Sequence, residues 1–81
     1  MKLRVQFYAQ LRDLAGVPSL DVDLADGAAV SDLLEKVYEE IPVLRAQDKN
    51  ILVGAGLEFV DRKFKLKSGD EISVMPPVQG G

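Results

Sequence analysis

Apolar and polar positions alternate at both ends of the chain and in between follow a helical period. Leu3, Val5 and Phe7 are interleaved with Arg4, Gln6 and Tyr8, a period of two that predicts a strand with one apolar face. Leu20, Val22 and Leu24 alternate with Asp21 and Asp23 in a second such strand, and Asp26-Gly27 marks a turn after it. Between them, Gln10 to Ala15 can form a short helical turn with Leu11 and Leu14 inward and Gly16 ending it. The period then changes. Val30, Leu33, Leu34, Val37 and Ile41 fall at i, i+3, i+4, i+7 and i+11 and form one stripe along a helix. Asp32 and Glu35 suit the positive end of its dipole, and Pro42 stops it. Its start is less obvious, because Ala28 and Ala29 make poor caps and Ser31 comes late.

A polar loop leads to Ile51-Leu52-Val53, a buried strand running into Gly54-Ala55-Gly56, where a turn or bulge is expected. Glu58-Phe59-Val60 reads as a short strand. Ser68-Gly69-Asp70 reads as a turn, and Glu71 to Met75 as a last strand with Ile72 and Val74 inward. The order strand, strand, helix, strand, short strand, strand predicts an α+β domain, a mixed sheet with one main helix on a single face. This is the order of the β-grasp, or ubiquitin-like, fold; a ferredoxin-like half or another small split sheet fits the periodicity as well. Residues 1–75 form the domain in this reading, and residues 76–81 a flexible Gly-Gly tail.

Composition narrows the chemistry. The 81 residues suffice for one small core. Cysteine and histidine are both missing from the sequence, which removes thiolate nucleophiles, disulfides, Cys/His metal sites and imidazole bases. A net charge of −3 disfavours a nucleic-acid partner. Arg62, Lys63, Lys65 and Lys67 form a local basic run, either a solvated loop or a docking patch for an acidic partner surface. The alternating, charged N-terminus reads as a strand and not as a signal peptide, and no run is long enough to span a membrane. A cytoplasmic location is the default expectation. With little volume for a pocket of its own, such a chain takes part in chemistry as a carrier or subunit, not as an enzyme alone.

The end of the chain carries the most specific signal. In Met75-Pro76-Pro77-Val78-Gln79-Gly80-Gly81, two prolines remove two N–H donors and prevent the last strand from continuing in a sheet. Beyond them, a terminus without Cβ atoms suits a narrow channel and leaves the last carbonyl open to attack from either face. A carboxylate at Gly81 becomes an electrophile once a nucleotide is attached to it. A sulfur donor can then replace the adenylate and leave a thiocarboxylate, a soft nucleophile that needs no cysteine. Tyr8 and Met75 point away from the helix-covered face by alternation. With the first and last strands as neighbours, these two side chains lie at the root of the tail, where Phe59 can join them in an exposed apolar docking patch.

These residues resemble the family of small sulfur-carrier subunits of molybdopterin synthase. The likeness spans the chain: Val5-Gln6-Phe7-Tyr8-Ala9-Gln10-Leu11-Arg12, Ile51-Leu52-Val53, Ser68-Gly69-Asp70-Glu71 and, most specifically, Pro76-Pro77-Val78-Gln79-Gly80-Gly81. The resemblance implies an adenylating enzyme of the ubiquitin-activating type that attaches AMP to Gly81 with ATP and magnesium. It also implies a sulfurtransferase system that converts the adenylate to a thiocarboxylate. The tail, Pro76 to Gly80, would enter the large synthase subunit and deliver sulfur to a cyclic pyranopterin monophosphate, making the dithiolene of molybdopterin. The assembly implied is a heterotetramer of two small and two large subunits, with the substrate pocket in the large one; the small chain binds no cofactor or metal. Tyr8, Phe59 and Met75 fall where family members present apolar docking residues. The chain departs from the family in having Gly54-Ala55-Gly56 where an Asn is frequent, and Met75 where an aromatic is common. A sulfur carrier for thiamine or another pathway, a ubiquitin-like protein modifier and a plain interaction module remain as alternatives.

Overall fold

The computed structural model describes residues 1–77. Five strands form one mixed sheet: β1 (Lys2–Phe7), β2 (Ser19–Asp23), β3 (Leu52–Ala55), β4 (Glu58–Val60) and β5 (Glu71–Met75), in the spatial order β2-β1-β5-β3-β4. The central pair β1 and β5 is parallel, with Phe7 opposite Val74, and every other pairing is antiparallel. Helix α1 (Ala9–Ala15) follows β1, and the longer α2 (Val30–Glu40) packs on one face of the sheet. This is the β-grasp arrangement that the element order predicts. Among the described residues, no helix is long and apolar enough to cross a membrane.

One core lies between α2 and the sheet. Leu3, Val5 and Phe7 of β1, Val22 of β2, Val53 of β3 and Ile72 and Val74 of β5 meet Val30, Leu33, Leu34 and Val37 of α2. All are buried, so truncating one of the leucines to Ala costs about 2–5 kcal/mol through lost transfer energy and the cavity left behind. Three sequence expectations need correction. Leu14 is exposed, because α1 is only two turns long and turns the i, i+4 pair of buried Leu11 and half-buried Ala15 toward the core. The helical stripe of α2 includes Tyr38, which is buried, while Ile41 lies beyond the last turn and is half-buried. The polar loop after Pro42 is a run of 3-10 turns, Pro42–Asn50, which places Leu44 in the core.

The start of α2 is stabilised from outside the helix. Its cap position is Ala29, which has no side-chain acceptor. Asp32 Oδ2 reaches back to accept from the Ala29 N–H at 2.9 Å. The next two orphan donors go to the β4–β5 connection: Val30 N–H to the Phe64 carbonyl and Ser31 N–H to the Arg62 carbonyl, both at 3.0 Å. Arg62 also clamps the 3-10 segment, donating to Asp48 Oδ1 at 3.0 Å and to the Asp48 carbonyl at 2.6 Å. Tyr38 donates its hydroxyl to the same Oδ1 at 2.5 Å, and the Arg45 guanidinium lies 5.1 Å from the centre of its ring. One carboxylate thus ties together α2, the 3-10 segment and the β4–β5 connection.

The electrostatics of this joint set a pH dependence. The Tyr38 hydroxyl holds Asp48 below the ordinary carboxylate range; desolvation opposes it and Arg62 assists. Burial, followed by the bond to Asp48, pushes the Tyr38 phenol well above its usual value. A carboxyl lowered in the folded state contributes stability that is present above its unfolded pKa and is lost as the pH falls through its folded value. Tyr38→Phe is therefore expected to cost about 1–2 kcal/mol near neutrality in urea unfolding. The gap between variant and parent should narrow on acidification from about pH 5 to about pH 2.5, since the parent has more carboxylate stabilisation to lose. A gap that widens over that range would contradict the assignment.

Candidate docking face at the root of the tail

The sheet face opposite α2 is divided by chemistry. Toward its lower end stand Lys2, Arg4, Asp21, Asp23 and Glu71, with Arg4 paired to Asp21 at 2.9 Å. Toward the other end, the register lines up Gln6, Ser73, Gly54 and Phe59 in one row across β1, β5, β3 and β4, and the next row begins with the pair Met75 and Leu52. No charged side chain stands in these rows.

The parallel β1–β5 register decides where the chain leaves the sheet. Phe7 and Val74 face the core as partners, so the residues after them, Tyr8 and Met75, face outward beside one another. The Tyr8 N–H donates to the Val74 carbonyl at 3.1 Å, and its hydroxyl donates to Gln6 Oε1 at 3.1 Å. Immediately afterwards Ala9 takes φ = 53°, a left-handed conformation that L-residues disfavour, and the chain turns into α1. β5 ends at Met75; Pro76 and Pro77 follow outside any strand and half-buried.

Phe59 and Met75 share a depression of about 250 Å³ whose floor is Gly54, with Gly56, Leu57, Ser73 and one charged residue, Glu58, on its sides. Phe59 is 65% exposed and Tyr8 44%. Tyr8 flanks Met75 from β1 and does not line the depression, so the three expected docking residues form a pair plus a neighbour. Sequence reasoning missed Leu57. It sits after Gly56 at the β3–β4 turn and is fully exposed, at 105%. The signal was available: a leucine between two short strands has no inward position in the alternation. Gly56 supplies the turn with φ = 63°, while Gly54 stays within β3, which narrows the expected Gly54-Ala55-Gly56 turn to its last residue.

What this arrangement can do is bind an apolar partner surface beside the root of the tail. Among the described residues, no group of three acidic, histidine or cysteine side chains is placed to hold a metal ion. Val78, Gln79, Gly80 and Gly81, which the sequence singles out, lie outside the described residues.

Residues 5–81 match the family model described as the ThiS family. The chain belongs to the ThiS family. Among curated relatives of this ThiS-family chain, the molybdopterin synthase sulfur carrier subunit of Chlamydomonas reinhardtii is 35% identical over the full length of both chains. That of Drosophila yakuba is 31% identical over all of this chain and 92% of its own. Among solved structures, small archaeal modifier protein 1 (SAMP1) of Haloferax volcanii aligns over the full length of both chains with a TM-score of 0.90 and 27% identity. A putative molybdopterin converting factor subunit 1 from Pyrococcus furiosus aligns with a TM-score of 0.86 and 29% identity, over 96% of this chain and 99% of its own.

The Gly54 floor can be tested apart from function. A Cβ built there meets the Glu58 carbonyl oxygen at 3.6 Å, Met75 Cε at 3.7 Å and Ser73 Cβ at 3.8 Å, all ordinary contacts. Gly54→Ala is expected to leave stability unchanged or raise it by about 0.5–1 kcal/mol, because alanine loses less backbone freedom on folding. A loss above about 1 kcal/mol in denaturant unfolding would mean that this floor is closed.

Proposed function

We propose that this chain is the sulfur-carrier subunit of a molybdopterin synthase and that its working group is the Gly81 carboxylate. The observation that carries the proposal is the full-length similarity to proteins of that name in an alga and an insect. It is supported by an apolar docking face at the root of a chain end that reads Pro-Pro-Val-Gln-Gly-Gly.

The chemistry follows from the terminal group. An adenylating enzyme, using ATP and magnesium, attaches AMP to the Gly81 carboxylate, and pyrophosphate leaves. A sulfur donor displaces AMP and leaves a thiocarboxylate. In the synthase, that sulfur passes to the cyclic pyranopterin monophosphate precursor, and water restores the Gly81 carboxylate. Two such deliveries build the dithiolene.

This chain supplies position and binding in the scheme. Pro76 and Pro77 keep the tail from pairing with the sheet, and Val78, Gln79 and Gly80 carry it into the large subunit, where the substrate pocket lies. Phe59 and Met75, flanked by Tyr8, dock the large subunit and the adenylating enzyme in turn. The two partners would use this face alternately, which suits a flexible methionine. The active assembly is two small and two large subunits, working in the cytoplasm.

Two substitutions separate the roles of tail and face. Gly81→Ala is expected to cripple thiocarboxylate formation in a reconstituted loading reaction while the thermal midpoint stays that of the parent. A normal yield would remove Gly81 from its proposed role. Met75→Asp is expected to weaken binding to the large subunit about tenfold or more by placing a charge against an apolar partner surface. Unchanged affinity for both partners would eliminate the face as the docking site.

A further inference from the structure

The basic run from Arg62 to Lys67 is divided by the fold into two parts with different roles. From Asp61 to Lys67, exposed and inward positions alternate: Arg62, Phe64 and Leu66 turn inward, while Lys63, Lys65 and Lys67 face solvent. Arg62 is consumed by Asp48. The three lysines form no ion pair among the described residues. Their nearest carboxylates in sequence are engaged with backbone: Asp61 accepts from the Lys63 N–H and Asp70 from the Lys67 N–H, each at 2.8 Å.

The backbone bearing these lysines is pinned. Lys63 sits in a turn closed by the Phe64 N–H bonding to the Asp61 carbonyl at 3.2 Å. Lys65 bridges to Ala29 at the start of α2, and the Leu66 N–H bonds to the Ala28 carbonyl at 2.9 Å. Leu66 is 3% exposed and anchors the segment in the core. The backbone that carries these three exposed cations is therefore held in place, on a chain whose net charge is −3. The lysines start beside the candidate docking face: Lys63 shares with Phe59 a shallow depression of about 500 Å³, which Val60, Phe64 and the carboxylates Glu58 and Asp61 also line, Asp61 being turned to the Lys63 N–H.

We propose that Lys63, Lys65 and Lys67 form a steering edge for an acidic segment of the partner protein that covers Phe59 and Met75. The inference rests on the docking role assigned to that face under the proposed function. Continuity through the depression shared by Phe59 and Lys63 makes one partner the occupant of both surfaces. The net negative charge of the chain and the Glu58 carboxylate at the near end disfavour an extended nucleic-acid track. Charges at the rim of an interface that oppose those of the partner act mainly on encounter: they raise the association rate, lose their effect in salt and leave dissociation nearly unchanged.

The test measures association and dissociation of the full chain with its cognate large subunit and cognate adenylating enzyme at about 50 mM and about 500 mM salt. Three variants are used: Lys63→Glu/Lys65→Glu/Lys67→Glu, the neutral triple change to Ser, and Phe59→Asp. The triple Glu variant should melt like the parent and associate with at least one partner about tenfold more slowly at low salt, with the Ser variant between them. Its salt dependence should flatten or reverse. Parental association by the Glu variant with both partners would overturn the steering edge, and would do so equally if the substitution abolished capture of a random duplex oligonucleotide. Phe59→Asp keeps the two readings apart: if it weakens binding while the lysine variants do not, the edge fails and the docking face stands. If Phe59→Asp binds both partners normally, the docking face itself fails.

Discussion

The parallel pairing of β1 with β5 is the constraint on which the rest depends. It places the first and last strands of the chain side by side at the centre of the sheet, with two inward rows that hold α2. Because Phe7 and Val74 are partners, the next residue of each strand turns outward at the same end of the sheet. The chain therefore leaves its own core beside Tyr8, and the two prolines begin there. Two features then come from one register: burial that stabilises a small domain, and an apolar surface fixed at the point where the tail departs. Moving the register by one residue would turn Val74 outward and Met75 inward, so the core fixes the candidate docking face.

Around this centre, the β4–β5 connection does more than join strands. It supplies carbonyls to the first donors of α2, sends Arg62 to the 3-10 segment, places Leu66 in the core and turns its lysines outward. The alternation inside this connection explains how one basic run serves both as a structural clamp and as a solvent-facing edge. It also accounts for a helix that starts without a serine, threonine or aspartate at its cap.

Much of the fold was legible because the pattern is strict. Leu3, Val5 and Phe7, the stripe from Val30 to Val37, and Ile72 with Val74 face the core as their periods require. The turns at Gly16, Gly27 and Gly69 each take positive φ. Tertiary pairing was harder to see. Nothing local in Ala28-Ala29 announces that Phe64 and Arg62 will cap the helix, and a short amphipathic segment such as α1 does not by itself distinguish Leu14 from Ala15 as the inward partner of Leu11. The run after Pro42 reads as polar because only Leu44 of its nine residues is buried. For the candidate site, Tyr8, Phe59 and Met75 were legible from alternation once β1 and β5 were made neighbours. Leu57 was legible only as a leucine left without an inward position between two short strands, and the open floor at Gly54 was not, since it arises from a missing side chain.

The central claim is that the chain carries sulfur on its own last carboxylate. Intact-protein mass spectrometry of the chain recovered from cells that make molybdenum cofactor tests it most directly. The account predicts a fraction whose mass has gained the difference between one sulfur and one oxygen, and the loss of that fraction when Gly81 is deleted. Unmodified carboxylate together with heavier conjugates to other proteins would contradict it and point instead to a protein modifier.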